Sequence, residues 1–170
     1  MSRSVTATVL LSSILAAYAQ QGPPALEDAT RFVTAAVERY HLDPGDRDDL
    51  ERKRKVRAQF SGCSVEFQTT SEVRELGRWT PRTSSVRFQL NDVDPDGIRI
   101  AREMRPGQRP TTFVLTLPCA RAHACVRRGP ETDREASLAF TSEQMAHRTA
   151  AAFRHAAGTC GAHSGLLTRP

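Results

Sequence analysis

Three aspartates at alternate positions, Asp92, Asp94 and Asp96, are followed by Gly97 and, after five intervening residues, by Glu103. Calcium takes several hard oxygen ligands, and carboxylates on alternate residues with a glycine for the bend can converge on one ion. The spacing matches an EF-hand loop, but the flanks do not. Ser85–Leu90 alternates like a strand, and Arg105-Pro106-Gly107 breaks any helix that could follow. Arg99 stands where such loops pack an aliphatic residue. The segment therefore reads as an acidic hairpin turn bent by Pro95 and Gly97. A shallow calcium site at Asp92, Asp94, Asp96 and Glu103 is the alternative.

Cys119, His123 and Cys125 lie close together, and Cys160 and His163 could complete a zinc set. Structural zinc draws on tighter, repeated ligand pairs, so disulfides are the stronger reading, with His123 at an exposed loop tip. Catalytic patterns are weaker still. There is no G-x-S-x-G elbow, no H-E-x-x-H and no phosphate-cradling glycine loop. His147 and His155 stand eight apart on one helix, about 80° around its axis, and do not share a narrow face. A Cys–His nucleophile using His41 or His147 needs a thiol that disulfide pairing removes. Trp79, the single tryptophan, reads as a core or edge aromatic. No cofactor is expected, and a small hydrolase assembled only in space is the enzymatic alternative.

Address is legible before architecture. Arg3, then the small and apolar run Val5–Ala17, then Ala17-Tyr18-Ala19, have the form of an export leader cut after Ala19. The run is too short for an anchored membrane helix. Cleavage leaves 151 residues and a formal charge of +4, against +5 for the whole chain of 170. That length suits one domain with a core of its own. The expected location is secreted or periplasmic, where thiols stay oxidised and the even set Cys63, Cys119, Cys125 and Cys160 forms two disulfides. The arginines are scattered and matched by acids along most of the chain, which points away from nucleic acid and toward a protein or small ligand as partner.

The elements follow from periodicity. Leu26, Ala29, Val33, Ala36, Val37 and Tyr40 recur at helical spacing, with Phe32 widening the stripe, and Asp43-Pro44-Gly45 ends that helix. Residues 46–55 are nearly all charged and read as a solvated linker open to trypsin-like cleavage at Arg52-Lys53-Arg54-Lys55. Alternation then takes over at Val56, Ala58 and Phe60; Val65 and Phe67; Val86, Phe88 and Leu90; Ile98 and Ile100; Phe113, Leu115 and Leu117; Leu138 and Phe140. Glu72–Trp79 is less regular. Thr141 with Gln144 reads as the capping box of a last helix, with Met145, Thr149, Ala152, Phe153 and Ala156 inward and Gly158 at its left-handed end.

Cys160 follows that helix and can tie its end to the first hairpin at Cys63. Cys119 and Cys125 flank five residues between strands, close enough for a local bridge. The fold class is α+β: an N-terminal helix (20–45), a linker (46–55), then a curved antiparallel sheet or sandwich of about six or seven strands with a closing helix (56–162), and a tail (163–170). Strands closed by one helix resemble the pleckstrin-homology-like architecture. Ser84–Ile100 and Ala136–Gly161, with Arg154-His155 and Cys160-Gly161, are similar to uncharacterised bacterial exported domains. Both resemblances imply a fold and no activity.

Overall fold

The computed structural model of the protein describes residues 25–42, 51–103, 112–120 and 123–162, of which 41–42 and 51–54 by backbone alone. The expected leader with its cleavage point, residues 43–50, Pro106-Gly107, His163 and the rest of 163–170 lie outside the described residues.

Helix α1 runs Leu26–Tyr40 and buries Ala29, Val33, Ala36 and Val37, the stripe its spacing predicts. Glu27 and Asp28 occupy its first turn, where the positive end of the helix favours acids. A two-residue strand, β1 (His41–Leu42), follows. Then come three long strands: β2 (Glu51–Ser61), β3 (Ser64–Glu75) and β4 (Arg78–Gln89). A 3-10 turn at Leu90–Asp92 leads to β5 (Arg99–Glu103) and β6 (Thr112–Pro118). The short strands β7 (Val126–Arg128) and β8 (Glu131–Asp133) precede β9 (Glu135–Phe140). Helix α2 (Glu143–Thr159) closes the chain.

The strands form two antiparallel sheets, one in the order β1-β9-β6-β5 and one in the order β2-β3-β4-β7-β8. The α+β class holds, and where a curved sheet or sandwich of about six or seven strands is expected, the described residues form nine strands in two sheets. Phe153 of α2 joins them: its ring lies 6.3 Å edge-on from Phe67 and 6.5 Å from Phe60 in one sheet. The same helix packs against β5, β6 and β9 of the other. Leu115, Leu117, Leu138 and Phe140 belong to one continuous core with Val65, Phe67 and Phe88. Helix α1 covers α2 and β2.

Four sequence expectations change. Glu51–Lys55 is strand rather than linker, because β2 pairs with β3 through Glu51↔Val73, Arg52↔Glu72 and, past a bulge, Lys55↔Thr70. Backbone bonds hold this stretch without an apolar pattern to announce it. The irregular segment at Glu72–Trp79 is one continuous hairpin, paired residue by residue to Glu75↔Arg78. Helix α2 is capped by Ser142, one residue later than expected, whose Oγ accepts the Met145 N–H at 3.3 Å. Its inward stripe is accordingly Ala146, Thr149, Ala150, Phe153, Ala156 and Ala157, with Met145 and Ala152 at the margin. At the other end Gly161, not Gly158, takes the positive φ (81°). There the Ala162 and Gly161 N–H groups bond to the Ala157 and Gly158 carbonyls at 3.0 and 3.1 Å, a Schellman ending.

Candidate functional site

Strands β2, β3 and β4 make an arm with two different ends. At the base, Val65↔Phe88 and Phe67↔Val86 place their side chains on the core face. Successive strand residues alternate faces. The opposite, outer face therefore carries Lys55 and Arg57 of β2, Arg74 of β3, and Trp79, Thr83 and Arg87 of β4. Register sets Arg74 directly across from Trp79 and Glu66 across from Arg87. Arg87 donates to Glu66 at 2.8 Å, and that bond, reinforced by the carboxylate's charge, holds the guanidinium pKa above its ordinary value.

Toward the far end the apolar residues run out. Arg78 and Pro81–Ser84 are exposed, with Trp79 and Thr80 half-buried. Twelve paired positions at about 3.3 Å each carry the tip roughly 35 Å from the base. Leu76 and Gly77 make the connection with φ of +48° and +79°. Positive φ at both central residues is the type I′ geometry, a place for Asn-Gly. Leucine there works against a left-handed preference penalty of roughly 1–2 kcal/mol. It is also 105 % exposed, the one exposed large hydrophobic residue among the described residues.

The charge follows the arm. Residues 51–89 hold nine basic and four acidic side chains, a formal +5 equal to that of the entire chain. The remaining residues balance to zero. Register also brings the start of β2 beside the tip, since Glu51 and Arg52 pair with Val73 and Glu72. Beyond its pairing with β7 at Val86 and Arg87, the outer edge of β4 has no partner strand among the described residues. Pro81 and Arg82 guard that edge against strand addition, since proline removes a donor and charge disfavours stacking of copies. The faces and the tip, rather than the edge, are therefore the surfaces on offer.

No protein-family model, no curated protein and no solved structure matches this chain.

The acidic segment has a structural task. It carries the chain from β4 in one sheet to β5 in the other. The Asp94 N–H bonds to the Pro118 carbonyl at 2.9 Å and the Ala120 N–H to the Asp92 carbonyl at 2.7 Å. Asp94 Oδ1 accepts the Asp96 N–H at 3.1 Å, an Asx turn. A Cβ on Gly97 would lie 2.8 Å from both Asp94 Oδ2 and Pro118 Cγ, so only glycine fits that approach. Glu103 ends β5, four residues and roughly 13 Å beyond Arg99. Asp92, Asp94, Asp96 and Glu103 are not gathered, and among the described residues no three acidic, His or Cys side chains could hold a metal ion.

All four cysteines are paired, Cys63 with Cys160 and Cys119 with Cys125, and no thiol is free. This removes both the zinc set with His123 and a Cys–His nucleophile. The first bridge ties the β2–β3 turn to the C-cap of α2. The second spans not a hairpin but the passage from β6 to β7, and so from one sheet to the other. His147 is exposed with its Nε2 4.0 Å from Glu143. His155 borders a groove of about 350 Å³ between α1 and α2 with Asp28, Phe32 and Arg148, whose guanidinium lies 4.9 Å from the Phe32 ring centroid. No serine, threonine or cysteine lines that groove.

The arm is hidden from sequence reasoning because its pieces carry separate signals: Arg52–Lys55 reads as linker, Glu72–Trp79 as irregular, and Trp79 as a core or edge aromatic. The available signal was Leu76-Gly77 between two polar stretches of equal length.

Proposed function

We propose that this protein is an exported, disulfide-stabilised domain that binds rather than catalyses, and that it binds through the outer face and tip of the β2–β4 arm. The observation that carries this reading is that the whole formal charge of the chain resides in residues 51–89. A charged, partly aromatic face on a rigid ladder recognises by complementarity and needs no reacting group. The leader supports export, and the two disulfides suit an oxidising compartment. Among the described residues no helix is long and apolar enough to cross a membrane. Strands followed by the closing α2 also support the pleckstrin-homology-like reading, as architecture alone.

A photo-crosslinking side chain at Thr83, on the outer face, and another at Glu143, on α2, test the proposal in the exported fraction of the producing cell. Adducts at Thr83 and none at Glu143 are expected. Adducts at neither position, or equally at both, overturn the assignment of the surface. A catalytic turnover abolished by one point substitution overturns the non-enzymatic part.

A further inference from the structure

We infer that the tip of the arm is a contact element for an anionic phospholipid surface, with Leu76 entering the boundary between headgroups and acyl chains and the surrounding arginines meeting phosphates. The inference rests on the arm being the binding surface and names what it binds.

Two independent observations lead here. Leu76 is fully exposed at the far end of the molecule, in a left-handed turn position that glycine or asparagine fills without strain. Its residue type is thus unfavourable twice in isolation, once by conformation and once by hydration. Apolar contact in a bound state answers the second. Around it, the tip-proximal strand ends (residues 51–55 and 72–82) carry Arg52, Lys53, Arg54, Lys55, Arg74, Arg78 and Arg82 against three acids, Glu51, Glu72 and Glu75. An apolar point within a basic surround, with an indole close behind, is the composition that suits a charged bilayer interface.

Other occupants fit less well. A two-residue turn presents far less than the roughly 1,200–2,000 Å² that stable protein interfaces bury. A soluble polyanion would use the arginines and leave the leucine unexplained. A bilayer accepts a narrow apolar protrusion without a matching pocket.

Trp79 is the only tryptophan and lies three residues from Leu76, so its emission reports the tip directly. The oxidised full chain is titrated with phosphatidylcholine vesicles, with the same vesicles containing about a third phosphatidylglycerol, and with heparin. The expected result is a blue shift of Trp79 emission on the anionic vesicles alone, reversed by high salt. Leu76→Asn should weaken binding about tenfold or more. Arg74→Gln with Arg78→Gln should cost about fivefold per charge. No shift on anionic vesicles, an equal shift on neutral ones, or Leu76→Asn binding within twofold of the parent overturns the inference. A heparin response insensitive to Leu76→Asn overturns it in favour of a soluble polyanion. Thr83 crosslinks to a protein without any vesicle response would remove the lipid and leave the arm as binding surface.

Discussion

The two ends of the β3–β4 ladder use the same backbone for opposite purposes. At the base, the Phe67 and Phe88 rings lie tilted with centroids 5.6 Å apart in the core, and both disulfides adjoin the turn at Leu90–Asp92. There the Cys63 carbonyl accepts the Leu90 N–H at 2.8 Å. At the tip, the same uninterrupted register carries threonine, glutamate and arginine and ends on an exposed leucine. Ladder hydrogen bonds hold pairing regardless of side chain, so a strand can leave the core without losing its register. What changes along it is whether the side chains contribute burial. The base stabilises, and the tip is available to bind.

That contrast predicts a gradient of mutational effects. Replacing Cys63 and Cys160 together by serine should cost about 3–5 kcal/mol, since the bridge closes a loop of 97 residues, against about 2 kcal/mol for the Cys119 and Cys125 pair. Thermal unfolding of both double variants decides this, and the reverse order would sink the account of the base. Phe153→Ala removes the ring shared by Phe60 and Phe67 and should cost about 3–5 kcal/mol by denaturant titration. A loss under about 1 kcal/mol would mean that α2 does not join the two sheets as described. Gly97→Ala forces the Asp94 and Pro118 side chains apart and should destabilise by about 1–3 kcal/mol. Addition of calcium should not restore it, because the turn is held by hydrogen bonds. At the tip the sign reverses: Leu76→Asn relieves a left-handed leucine and should stabilise by about 0.5–1 kcal/mol. A clear fall in melting temperature would show that Leu76 packs against something within the chain.

Legibility follows burial closely. The α1 stripe at Ala29, Val33, Ala36 and Val37 and the alternations at Val65–Phe67, Leu115–Leu117 and Leu138–Phe140 appear in the sequence because each residue must face the core. Arg52–Lys55 and Arg82–Ser84 carry no such trace, since backbone pairing holds their strands and, at Lys55 and Arg82–Ser84, water takes the side chains. The β7–β8 hairpin, three residues a side around Gly129-Pro130, is too short for any period to register. Ser142 and Thr141 are equally good caps in sequence. The structure chooses Ser142 because its hydroxyl reaches the Met145 N–H.

The sequence by itself determined the α+β class, the two amphipathic helices and an even cysteine set open to three pairings, because helical and alternating periods and a cysteine count are local properties of the chain. The structure chose Cys63 with Cys160 and Cys119 with Cys125. Tertiary structure alone decided that the acidic turn is a brace between sheets, bonded through Asp94 to Pro118 and through Asp92 to Ala120. It also alone decided that a run of basic residues and a distant Leu-Gly turn share one end of an arm. Those outcomes depend on which segments lie side by side, and side-by-side placement is set by register across strands far apart in sequence.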